Sequence, residues 1–145
     1  MPVTRTLGIT LVLAMTLAAS LELRARHSSP DVVLEWNRLL QTTLPAPGNP
    51  LSPRYYSMMH IAMFDAANSI EGGYTPYRVR VHASRFASSE AAAAQAAHDV
   101  LTALLPANAA MYDAALAARL EDIHPVRAQL GVQVGREVAQ KVLQW

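Results

Sequence analysis

Five histidines, one aspartate inside an apolar stretch and a short run of arginines are the residues of this 145-residue chain whose types could do chemistry. His60 and His98 fall in helical patterns, and two neutral imidazoles joined by Asp65 are a donor set that zinc accepts. The spacing speaks against it: no His-x-x-x-His or His-Glu-x-x-His pair occurs, and His27, His82 and His124 fall in linkers. A lone histidine among alanines and methionines is more often a hydrogen-bonded core residue. Ser57 and His60, at i and i+3, set a hydroxyl near an imidazole, but no Gly-x-Ser-x-Gly elbow or oxyanion hole accompanies them. The absence of cysteine excludes a thiol nucleophile, thiolate metal sites and disulfides. Gly72-Gly73 is not followed by Gly-Lys-Ser, so there is no phosphate loop. Arg78, Arg80 and Arg85, with His82 among them, remain as a candidate for weak anion binding, against the plainer reading of a solvated loop.

The element that must position these groups is Arg54–Ile70, which has no proline or glycine inside it. Pro53 precedes it, where a missing N–H costs nothing, and Gly72-Gly73 follows, supplying a left-handed terminator. At about 100° per residue, Arg54, Ser57, Ile61, Asp65 and Asn68 fall on one strip, and the rest of the circumference is apolar. A helix apolar nearly all round is a buried, central one. Its polar strip of Arg54, Ser57, Asp65 and Asn68 is then expected to be buried and hydrogen-bonded. Arg54 and Asp65 are about 16 Å apart along the axis and cannot pair with each other. A structural polar network is the favoured reading, over support beneath an active site. No catalytic, cofactor-binding or metal residue is assigned.

Other segments read as helices too. Val32, Val33, Trp36, Leu39 and Leu40 recur at helical spacing from Pro30-Asp31 to Thr43. Leu44–Pro53 holds four prolines and is a connector. Arg78–His82 alternates like a strand but is too short and alone to form a sheet, hence an extended loop. Ser88 or Ser89 caps an alanine-rich helix that stops at Pro106. Ala107–Glu121 follows, with Met111, Ala115 and Leu116 expected inside. The last helix, Val126–Leu143, carries a ridge of Leu130, Val134, Val138 and Val142 beside a groove of Gly131, Gly135 and Ala139. That groove invites close approach of another backbone. The fold expected is an all-α helical bundle of about four helices, in keeping with 52% hydrophobic residues dominated by alanine and only 6% aromatic.

Residues 1–20 read as a secretory signal: Arg5, an uncharged run from Leu7 to Ala19, and Ala18-Ala-Ser20 as a cleavage site. An uncleaved anchor is the alternative, since Arg24 and Arg26 flank the run. Export to the periplasm or medium follows, with 21–145 as the mature part. That part has eleven basic and eleven acidic residues, so no basic face argues for nucleic acid.

The order of these pieces resembles one family. Val33-Leu-Glu-Trp-Asn37, the proline linker, Arg54, Met59-His-Ile-Ala-Met-Phe-Asp-Ala-Ala-Asn68 and Tyr74-Thr-Pro-Tyr77 are similar to the start of bacterial vanadium-dependent haloperoxidases. These belong with the type 2 phosphatidic acid phosphatases and bacterial acid phosphatases. Ala97-His-Asp-Val-Leu101, Leu105-Pro106 and Gly131-x-x-x-Gly135-x-x-Val138-Ala139 continue the likeness, which covers roughly residues 31–143. The resemblance implies an oxyanion site built from a Lys with a later Arg-Pro, then Pro-Ser-Gly-His, then Ser-Arg and a downstream His. None of these is present: Ser84-Arg85 lacks the histidine spacing, and the sole lysine is Lys141. The expectation is therefore the N-terminal helical half of such an enzyme, a half-domain truncated before its site and inactive alone. It holds no cofactor itself, vanadate belonging to a full-length relative. Its partner is the missing C-terminal helical half or another helical surface, with a homo-oligomer as alternative. The other reading is a stand-alone helical binding or scaffold module.

Overall fold

Trp36, Leu40 and Thr43 lie on one stripe of the first described helix, and their burial sets its orientation. The computed structural model describes residues 31–45 and 48–145. The secretory-signal reading of residues 1–20 lies outside them. Five α-helices, against the about four expected, follow one another among the described residues: α1 (Val32–Thr43), α2 (Ser52–Glu71), α3 (Ser89–Leu104), α4 (Ala109–Glu121) and α5 (Pro125–Val142). A 3-10 turn, Pro106–Asn108, joins α3 to α4. The fold is an all-α bundle, with no strand among the described residues. No helix among them is long and apolar enough to cross a membrane.

The helix boundaries have local causes. Pro53 sits in the first turn of α2, and Gly72 closes it at φ +70° with its N–H donating to Asn68 O at 2.8 Å. Ser88 caps α3, its Oγ accepting from Ala91 N at 3.2 Å. Pro106 and Pro125 each lack the N–H that would continue the preceding helix, and each stands in the first turn of the next segment. Arg78–His82 is irregular chain, as its length required.

The central helix is α3, not α2. Ala91 to Ala97, Gln95 included, are all buried, and α3 packs against α1, α2, α4 and α5. Methyl-sized side chains let neighbouring backbones come close from four sides, whereas α2 packs against α1, α3 and α5. One face of α2 is open instead: Phe64 is 41% exposed, and Arg54 and Ser57 face solvent. The closest approach is between α3 and α5. A Cβ added at Gly131 lies 2.9 Å from Ala91 Cβ, and one at Gly135 lies 2.8 Å from Gln95 Cβ, with the carbonyls of Ser88 and Ala92 nearer still. The two glycines are therefore required by contact with the α3 backbone. Val134, Val138 and Val142 are buried beside them, with Leu130 half-buried at the head of the ridge. The N-terminus of α3 is also tied to α5, Ser88 N donating to Arg127 O at 3.0 Å.

The inner face of α4 is turned from the expected one. Tyr112 and Arg119 are its buried residues, Ala115 and Leu116 are half-buried, and Met111 is 48% exposed. Positions 112, 115, 116 and 119 form a proper helical stripe once Arg119 counts as an inward residue.

Candidate functional site

Asp65 is fully buried on α2, and its partners are backbone amides rather than a cation. Oδ1 accepts from Tyr77 N at 2.7 Å, and Oδ2 accepts from Arg78 N at 2.8 Å and Val79 N at 2.7 Å. One turn along, Asn68 pairs with Tyr74 in both directions. Its Oδ1 accepts from Tyr74 N at 2.9 Å, and its Nδ2 donates to Tyr74 O at 2.8 Å. Ser69 Oγ donates to Asp65 O and accepts from Val81 N at 3.2 Å. Three side chains of α2 thus bind the chain from Tyr74 to Val81 onto the helix. Three N–H groups converging on one carboxylate replace much of the hydration that burial removes.

The expected polar strip is therefore half right. Asp65 and Asn68 are buried and bonded. Arg54 and Ser57 are exposed, because the loop that covers the strip reaches only its C-terminal half. Asp65 needs no distant cation, and Arg54 needs no buried acid. His60, between the two halves, is half-buried: its Nε2 lies 3.2 Å from Asn37 Oδ1, and its ring stacks on Tyr56 at 6.4 Å. Burial lowers its pKa below the ordinary 6.5.

The anchored loop presents aromatic and cationic side chains outward. Tyr74 and Tyr77 are each 70% exposed, Tyr74 lies 6.2 Å from the Phe64 ring, and Arg78 sits 4.3 Å above the ring of Trp145. Arg80 donates to Tyr74 O at 3.2 Å, while Arg85 lies over Phe86 at 5.4 Å. His82 is exposed. The three guanidiniums are thus directed at three different neighbours. An oxyanion cradle needs its cations to point at a common centre.

A second polar cluster joins α3 to α4. His98 Nδ1 lies 2.7 Å from Asp99 Oδ1, and its Nε2 lies 2.7 Å from Asp113 Oδ1. Gln95 Nε2 donates to the same Asp99 oxygen at 2.7 Å. The edge of the imidazole meets Trp36 at 6.4 Å. The hydrogen bond to Asp99 raises the His98 pKa above 6.5; burial opposes this and Asp113 adds to it. A third cluster surrounds Arg119. Nε donates to Glu35 Oε2 on α1 at 3.0 Å, Nη2 reaches the same oxygen, and Nη1 donates to Glu90 Oε1 on α3 at 2.9 Å. Nearby, the Tyr112 hydroxyl donates to Thr43 Oγ1 at 2.7 Å, and burial pushes its phenol pKa up.

His60, His98 and Asp65 each have separate partners, and among the described residues no group of three His, Asp or Glu side chains is placed to hold a metal ion. Ser57 is exposed and His60 is turned to Asn37, so the i, i+3 pair is not assembled. The Asp99–His98–Asp113 and Glu35–Arg119–Glu90 clusters were not legible from sequence order. Their members come from two and three helices, and only Arg119, at i+7 from Tyr112 on the single aromatic-bearing stripe of α4, hinted at an inward cation. Comparisons with protein-family models, with curated proteins and with solved structures find no match for this chain.

Proposed function

We propose that this chain is the N-terminal helical half of an exported haloperoxidase-like or acid-phosphatase-like enzyme, and that this half supplies scaffold rather than chemistry. The motifs from Val33 to Ala139 suggest the family. The observation that carries the reading is the set of exposed aromatics on and beside the anchored loop, of which Phe64 and Tyr74 touch and Trp145 lies under Arg78 of the loop. Phe64, Tyr74, Tyr77 and Trp145 are 41–70% exposed, and Asp65 and Asn68 hydrogen-bond the loop that displays two of them. Grouped exposed aromatics mark a surface that meets something else. A C-terminal helical half bearing the oxyanion motifs is the partner that fits this reading, and vanadate or phosphate would bind there. Export remains part of the proposal and rests on residues 1–20.

A stand-alone helical scaffold or binding module is the second reading. It is favoured by the fully buried core of Trp36, Leu40, Met59, Leu101 and Tyr112, which needs no further chain to close it. The nucleotide sequence after the Trp145 codon discriminates: Pro-Ser-Gly-His encoded in any frame supports the half-enzyme, and an unrelated gene after a stop supports the module. Calorimetric titration with vanadate and with phosphate, beside a bromination assay with peroxide, tests the absence of chemistry. No heat of binding and no bromination are expected. Micromolar vanadate affinity with peroxide-dependent bromination overturns the scaffold reading.

A further inference from the structure

We propose that His98 is a protonation-controlled strap that fastens α4 to α3 when the imidazole is charged and releases it when the ring loses a proton. The argument is a count of hydrogens. Both ring nitrogens face a carboxylate oxygen at 2.7 Å, Asp99 on α3 and Asp113 on α4. A carboxylate only accepts, so each of these short contacts needs an N–H, and only the imidazolium carries two. A neutral ring keeps one N–H and turns a lone pair toward the other carboxylate. Asp99 is the partner that stays, since it neighbours His98 on the same helix and is also held by Gln95 Nε2. Asp113 is the partner that leaves: its side chain is 67% exposed and can turn to water.

The helix on the other side of this strap is the one that can respond. Only Tyr112 and Arg119 of α4 are buried, with Ala115 and Leu116 half-buried against the core, so the Tyr112–Thr43 bond, the Arg119 ion pairs and Asp113 add to a small apolar contact. Elements with little buried apolar surface are the ones that open locally. Of the charged groups on the helices packed against α3, Arg38 on α1 is exposed, and several others have partners of their own. On α1, Glu35 pairs with Arg119, and Trp36, which meets His98, is uncharged. Arg119 on α4 lies six residues beyond Asp113, about 9 Å along the axis, between Glu35 and Glu90. On α2, Asp65 is bound to the loop and His60 to Asn37, and on α5 Glu137 pairs with Lys141. The raised His98 pKa agrees with this geometry.

The test follows ring protonation and α4 opening separately in the full chain. Nitrogen-15 signals of the His98 ring should show both nitrogens protonated at pH 6.5. A neutral single tautomer there overturns the proposal. As pH is raised through the titration so observed, amide exchange of Ala109–Glu121, corrected for its intrinsic pH dependence, should accelerate about two- to five-fold, the range of a partly exposed ion pair. Amides of α5 should not follow. Asp113→Ala should exchange fast on both sides of the titration. Asp113→Asn can accept from an N–H or donate to a lone pair, so its α4 exchange should be slow and independent of His98 protonation. Wild-type α4 exchange that ignores the titration, or pH-dependent exchange surviving in Asp113→Ala, overturns the strap.

Discussion

Replacing Asp65 by leucine keeps the branching of the side chain but puts two larger methyls where the carboxylate oxygens hold residues 77–79 against α2. Three backbone donors lose their acceptor, at 2.7, 2.8 and 2.7 Å in the folded protein. Hydrogen bonds to a charged acceptor contribute about 1.5–3 kcal/mol each, so the gross loss is about 4.5–9 kcal/mol. Two effects offset it. A leucine at this fully buried position returns about 2–3 kcal/mol of apolar transfer. Tyr77 and Arg78 are also exposed residues, so their amides regain water once the loop lifts. The net destabilisation expected is about 2–4 kcal/mol. Asn68 still clamps Tyr74, so the loop should open from Tyr77 onward before the bundle melts. Urea denaturation gives the free energy, and amide exchange at Tyr77, Arg78 and Val79 shows where protection is lost. Asp65→Asn keeps one acceptor oxygen and should cost less than leucine, about 1–2 kcal/mol. A leucine variant within about 0.5 kcal/mol of wild type, the range of surface positions, refutes the reasoning, as does unchanged protection of the three amides.

Gly135→Ala should destabilise by about 1–2 kcal/mol, because the clash with the α3 backbone outweighs the roughly 1 kcal/mol gained in helix propensity. Gly73→Ala, where a Cβ meets nothing within 4 Å, is the neutral control, and a stabilised Gly135→Ala in thermal melts shows that α5 can move away. Arg119→Met keeps an apolar stem but unpairs Glu35, and should cost about 2–3 kcal/mol; Glu90 is too exposed to add much. A double-mutant cycle with Glu35→Gln should return a coupling of about 1 kcal/mol or more, and additive costs reject the pair. The two helical histidines should pull stability in opposite directions with pH. His98, with its folded pKa raised, contributes fully below 6.5 and loses that contribution as pH rises through the folded value; His60, with its pKa lowered, contributes above 6.5 and loses it as pH falls through the folded value. Stability of wild type minus His98→Gln should therefore decline on the alkaline side. Wild type minus His60→Gln should decline on the acid side, and either difference with the reverse slope refutes the assigned environment.

Much of this molecule is written in local residue chemistry. Pro53, Gly72, Ser88, Pro106 and Pro125 mark helix ends that depend on a missing N–H, a left-handed residue or a hydroxyl cap, all properties of the residue itself. The all-α class follows from helical periodicity, and the paired stripes of α5 follow from the i, i+4 spacing of its glycines and valines. The burial of Asp65 and Asn68 was legible too, as polar residues on an apolar helix, but the identity of their partners was not. Backbone amides of Tyr77, Arg78 and Val79 carry no side-chain signature, and nothing along the chain distinguishes them from any other amides. Which helix is central also required the folded chain. A helix gains that place by how closely others can approach it, and the alanines of α3 admit four helical neighbours where α2 has three. The same holds for His98 and Arg119. Arg119 owes its partners to two other helices, and His98, whose Asp99 is its own neighbour in sequence, owes its second carboxylate, Asp113, to α4; distance between helices is a property that only the tertiary packing possesses.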